Sequence, residues 1–217
     1  MVPLNPSPTE LTTAATDAAM GLLSLLLLVD MRRLRVRSAW QRDVWSEVFG
    51  LLFVGSVLGA VAHGFDLAAG VRARLWLPLY LSLGLAVALF VVGAVGDWKG
   101  EAAGRRLFPW AVAAGVGFFA ASQWLGGAFI VFVVYEAGAM LLALALYLGV
   151  ARRGAAWAWW TASGIGLTLV AAAVQATSLR LTIAVPFDHN GLFHLVQMAA
   201  TLLIAAGVRR GLATSRG

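Results

Sequence analysis

Histidine occurs three times in this chain, at positions 63, 189 and 194. Neutral imidazole is the commonest nitrogen ligand of zinc, and a catalytic zinc takes three protein ligands plus a water whose pKa falls to about 7. His63 and His194 are the first-choice ligands. His189, Asn190, Asp17 or Glu136 would complete the shell. Asp66 lies three residues after His63, where on a helix it would orient that ring or accept a proton. With no cysteine in the chain, thiolate zinc sites, iron–sulfur clusters and disulfides are excluded.

The polar residues around these histidines recur at helical spacing. Ser56, Gly59, His63 and Asp66 fall on one face of a helix, and so do Asn190, His194, Gln197 and Thr201. Thr13, Asp17, Met20 and Ser24 repeat the pattern near the N-terminus, and Thr161, Gly164, Thr168 and Gln175 align on a later segment. Tyr135 and Glu136 interrupt an otherwise apolar run. A charged side chain in hydrocarbon costs about 2.5–3.5 kcal/mol even on the lenient insertion scale, so each of these groups needs a partner, a cavity or a function.

The elements that position them are membrane helices. The 217 residues are 61% hydrophobic and 12% charged, with mean hydropathy +0.85, against about 25% charged in soluble domains. Apolar runs at 11–29, 44–66, 75–96, 107–124, 128–149, 156–178 and 190–208 are each long enough for a ~30 Å hydrocarbon layer. The fourth and fifth divide at the turn-like Trp124-Leu125-Gly126-Gly127. The reading is an all-α membrane protein, residues 1–217 forming a single seven-helix transmembrane bundle in the cell membrane. Gly115-Val116-Gly117 and Gly164-Ile165-Gly166 read as close-packing positions.

Charge sets the orientation, because positive residues near span ends favour the cytoplasm. With the N-terminus outside and the C-terminus inside, the inner segments hold Arg32, Arg33, Arg35, Arg37, Arg42, Lys99, Arg105, Arg106, Arg152, Arg153, Arg209, Arg210 and Arg216. The outer segments hold Arg72, Arg74 and Arg180. The net charge of +6 is thus explained by topology and not by nucleic acid. The tryptophans fall near span ends, as amphipathic rings do. Counting a rise of about 1.5 Å per residue from the outer ends places Asp17, His63, Glu136, Gln175 and His194 in the outer half. The expectation is a polar cavity opening outward, with Asp17, Asn190, Gln197, Gln175 and Tyr135 in its wall.

A histidine on helix two, a nearby carboxylate and a His pair at the start of helix seven resemble the superfamily of alkaline ceramidases and adiponectin-type receptors. The segments that carry the resemblance are Ser56 to Asp66 and Asp188 to His194. It implies a zinc-dependent lipid or amide hydrolase in which Asp66 or Glu136 moves the proton. In that family a serine precedes the first histidine by four residues and the last two histidines are four apart. Here Gly59 and Asn190 stand at those positions, and Ser56, one turn further, is the substitute hydroxyl. His189 is about 140° around an ideal helix from His194, so both meet one metal only if the first turn is unwound. Two other readings of the residues stand beside this one. One is a non-enzymatic sensor or receptor whose pocket holds a lipid or small molecule, and the other is a haem protein with His63 and His194 as axial ligands.

Overall fold

The computed structural model describes residues 2–214, so Arg216, counted above among the inner cations, lies outside the described residues. The described residues form seven α-helices: α1 (Pro8–Arg33), α2 (Ala39–Gly64), α3 (Ala69–Lys99), α4 (Glu101–Trp124), α5 (Phe129–Arg152), α6 (Trp157–Gln175) and α7 (His189–Thr214). All but α4 are long and apolar enough to cross a membrane. Pro109, the glycines and Ser122-Gln123 dilute the apolar run of α4.

Each helix extends beyond or falls short of its expected span by a few residues, and at α1 and α2 a side-chain cap sets the start. Ser7 accepts the Glu10 N–H to start α1, and Ser38 accepts that of Gln41 to start α2. Between α4 and α5 the chain turns through Gly126 and Gly127 at φ 73° and 72°, a left-handed conformation that glycine adopts without a Cβ clash. This is the break expected from the sequence.

Consecutive helices run antiparallel. Arg32 at the end of α1 pairs with Glu47 near the start of α2, while Glu10 at the start of α1 meets His63 at the end of α2. Helices α1, α2, α3, α5, α6 and α7 close a ring, and α4 packs along the outside of α3. Small residues permit the close approaches. A Cβ on Gly84 of α3 would lie 2.9 Å from the Gly115 carbonyl of α4, and one on Gly164 of α6 would lie 2.7 Å from the Ala200 carbonyl of α7. A Cβ on Gly117 or Gly166 would meet nothing within 4 Å outside its own helix backbone among the described residues.

The apolar core occupies the half of the ring nearer the arginine-rich ends, around Trp45, Phe49, Phe90, Met140, Tyr147 and Ile165. Trp45 corrects the reading of tryptophan as a headgroup-zone residue. It is fully buried, edge-on to Phe90 at 5.0 Å, and fits because Gly93 has no side chain. Also at this end, the Ser38 hydroxyl donates to Glu101 Oε2 at 2.6 Å and Arg105 Nε donates to Oε1 at 2.6 Å, and together they hold that exposed carboxyl below its usual pKa.

The opposite end carries two elements that hydropathy did not reveal. Residues 3–5 pair with the end of α2 through Asn5 N–H to the Gly64 carbonyl and Asp66 N–H to the Pro3 carbonyl. A hairpin of β1 (Leu181–Ile183) and β2 (Val185–Phe187), turned at Ala184, links α6 to α7, and the Thr12 hydroxyl donates to its Pro186 carbonyl at 2.7 Å.

Candidate functional site

α1 brings two carboxylates to this end, Glu10 and Asp17, seven residues apart and so two turns along one face. Each meets a histidine from a different helix. His63 Nδ1 of α2 lies 2.7 Å from Glu10 Oε2, and His194 Nε2 of α7 lies 3.3 Å from Asp17 Oδ1. Between the two carboxylates, the Thr13 hydroxyl donates to Asp188 Oδ1 at 3.0 Å. The same oxygen accepts the Gly191 N–H at 3.0 Å, which makes Asp188 the N-cap of α7. One face of α1 thereby fixes the end of α2 and the beginning of α7.

The hydrogen bonds around His194 constrain its protons. The Thr16 hydroxyl has the Thr12 and Thr13 carbonyls at 3.0 and 2.9 Å, the usual back-bonding of a helical threonine. With its hydrogen directed there, Thr16 Oγ1 accepts from His194 Nδ1 at 3.0 Å. Nε2 then faces Asp17 Oδ1 at 3.3 Å, where a proton carried by either group would join them as a pair of zero net charge.

A pocket of about 770 Å³ opens beside these pairs. One part of its wall carries Asp17, Ser56, Gly59, His63 and His194, and another is aromatic, with Trp76, Tyr80, Phe129 and Phe132; the two meet where Trp76 lies edge-on to His63 at 5.7 Å between centroids. The rings form a continuous series: Trp76 to Tyr80 at 5.7 Å, Tyr80 to Phe129 at 6.3 Å and Phe129 to Phe132 at 5.3 Å between centroids. Gln175, His189 and Asn190 lie at the rim, where the Gln175 amide donates to Asn190 Oδ1. Glu136, Gln197 and Thr201 line both this pocket and a smaller void of about 50 Å³ that also touches Thr168.

Glu136 is 8% exposed and, among the described residues, forms no hydrogen bond or ion pair. Gln175 Oε1 and Gln197 Oε1 are likewise buried without a partner. Buried polar atoms are ordinarily satisfied, so the pocket presents acceptors that call for a donor.

Two expected site residues stand elsewhere. α2 ends at Gly64, so Asp66 lies beyond the helix, exposed, and Glu10 takes the place expected of it beside His63. Tyr135 is turned about 100° from Glu136 on α5. It stacks on Phe118 at 4.6 Å and donates to the Gly84 carbonyl of α3, outside the pocket lining.

The donors do not form a zinc shell. Among the described residues no three His, Asp or Glu side chains are grouped to hold a metal ion. His63 and His194 each present a ring nitrogen to a different carboxylate of α1, and both nitrogens of His194 are engaged, which leaves none to bind a haem iron.

Glu10 is the residue that the sequence reading missed, because the first apolar run starts after it. Its signal was present: Ser7-Pro8-Thr9-Glu10 has the S-x-x-E form of a helix start, with proline in the first turn. That start places Glu10 two turns before Asp17.

The chain belongs to a family of unknown function (DUF6962), whose model matches residues 12–213. No curated protein and no solved structure matches it.

Proposed function

We propose that this member of a family of unknown function is a seven-span protein of the cell membrane that binds a small amphipathic ligand in the pocket beside α1, α2 and α7. The N-terminus is outside and the C-terminus inside. The arginine-rich helix ends then face the cytoplasm, and the pocket opens toward the outside or the outer leaflet. The protein acts as a receptor or sensor, holding its ligand without covalent chemistry.

The observation that carries this reading is that a polar wall and an aromatic wall line the same pocket, with unsatisfied acceptors among them. Its volume of about 770 Å³ lies in the range of roughly 300–1,000 Å³ that small-molecule sites occupy. A ligand with one polar end and an apolar body would satisfy both walls. A purely structural cluster would be closed on itself, whereas here the partners of Glu136, Gln175 Oε1 and Gln197 Oε1 are left to whatever enters.

The test is titration of the purified protein in lipid nanodiscs with octyltrimethylammonium, octanoate and octanol, using empty nanodiscs as the reference. At least one of the three is expected to bind saturably, one per chain. Val133→Trp, which fills the pocket from α5, is expected to abolish that binding while leaving helicity and Tm near wild type. Absence of saturable binding by all three, or binding unaffected by Val133→Trp, would overturn the reading.

A further inference from the structure

We infer that the ligand is an organic cation, an aliphatic ammonium whose head group sits at Glu136 against the rings of α5. This rests on the pocket reading above and specifies its chemistry.

The charges of the pocket wall decide it. Among the described residues, two carboxyl groups line the pocket, those of Asp17 and Glu136. Asp17 has the His194 ring as its counter-group, with Nε2 3.3 Å from Oδ1. His63 is matched by Glu10 behind the wall. His189 stands at the rim, at the first position of α7. Glu136 alone faces the cavity as a buried carboxyl without a counter-charge among the described residues.

Its surroundings are those that a cation uses. Phe129, Phe132 and Glu136 follow at +3 and +4 on α5 and so share one face. The Phe129 and Phe132 rings continue into Tyr80 and Trp76, and a cation is attracted to such π faces. The two cavities that Glu136 lines also hold Gln197 Oε1, which has no donor among the described residues, and the Thr201 hydroxyl. An anionic head group would meet a carboxyl and unpaired carbonyl oxygens here. A neutral alcohol would satisfy one acceptor and leave the carboxyl without a counter-charge.

The experiment uses the same three amphiphiles and adds Glu136→Gln, which keeps shape and an acceptor while removing the charge. Octyltrimethylammonium is expected to bind wild type at least about tenfold more tightly than octanol or octanoate, and Glu136→Gln to lose at least about tenfold toward the ammonium alone. Octanoate or octanol binding as tightly as the ammonium, with Val133→Trp still abolishing it, overturns the cation assignment and leaves the pocket standing. Unchanged ammonium affinity in Glu136→Gln also overturns it. No saturable binding by any of the three overturns both readings.

Discussion

The Asp17 carboxylate of α1 occupies the space in which a side chain at position 59 of α2 would begin: a Cβ built on Gly59 would lie 2.7 Å from Asp17 Oδ2 and 2.9 Å from Oδ1. The glycine therefore explains how a buried carboxylate reaches His194 across the top of α2. It also bears on the resemblance to the seven-helix hydrolases, whose serine would stand at position 59. In this chain that volume belongs to a residue from another helix. Gly59→Ser should force Asp17 aside and cost about 1–3 kcal/mol, as overpacking does. The check is unfolding in mild detergent, where a variant as stable as wild type would contradict the packing.

The two histidine–carboxylate pairs should differ in their contribution. Asp17 and His194 side chains are 9% and 14% exposed, so His194→Ala strands a buried acid and should cost about 3–5 kcal/mol. Glu10 is 35% exposed, so Glu10→Ala should cost at most about 1 kcal/mol. Equal losses in the two variants would be inconsistent with this difference in burial.

A second polar network closes the other end of the bundle. The Tyr147 hydroxyl donates to Asp97 Oδ2 at 2.6 Å, and the Gln41 amide donates to Asp97 Oδ1 and to the Gly93 carbonyl, both at 2.8 Å. Tyr147 is 1% exposed, so Tyr147→Phe leaves an acceptor short of its donor and should lower stability by about 1–3 kcal/mol. Ligand binding at the far pocket should be unaffected, which titration of the variant would show.

Removal of divalent metal should leave the protein unchanged, since its donors are divided between separate pairs. Thermal unfolding before and after treatment with a zinc chelator provides the measurement. A fall in Tm would mean that His63, His189 and His194 gather in another arrangement.

The orientation is testable because the chain has no cysteine to remove. Exposed single-cysteine substitutions at Ser178, after α6, and at Ala156, before it, lie at opposite ends of the bundle. In intact cells an impermeant maleimide should label Ser178→Cys and spare Ala156→Cys. The reverse pattern would invert the topology.

The helices were legible in the sequence because lipid imposes its demand on each segment separately: an apolar run must be long enough, and its backbone must satisfy itself. The glycine break between α4 and α5 was legible for an equally local reason. The polar faces of α1, α2 and α7 could also be read, since helical period alone places Asp17, His63 and His194 on stripes that avoid lipid. The partnerships could not. Asp66 is three residues from His63, and spacing favours that pair, but α2 stops at Gly64 because residues 3–5 cap its end, and Glu10 arrives from another helix.

What the sequence by itself determined is a hydrophobic bundle, its cationic end and the residues barred from lipid. What only the tertiary structure decided is which of those residues face one another. Asp17 found His194 because Gly59 of α2 leaves room for the Asp17 carboxyl, and Glu136 was left facing the cavity because Tyr135 and Gln175 bond elsewhere. Helical period fixes the direction of a side chain from its own axis, whereas pairing depends on the distance and rotation between axes, which long-range packing sets.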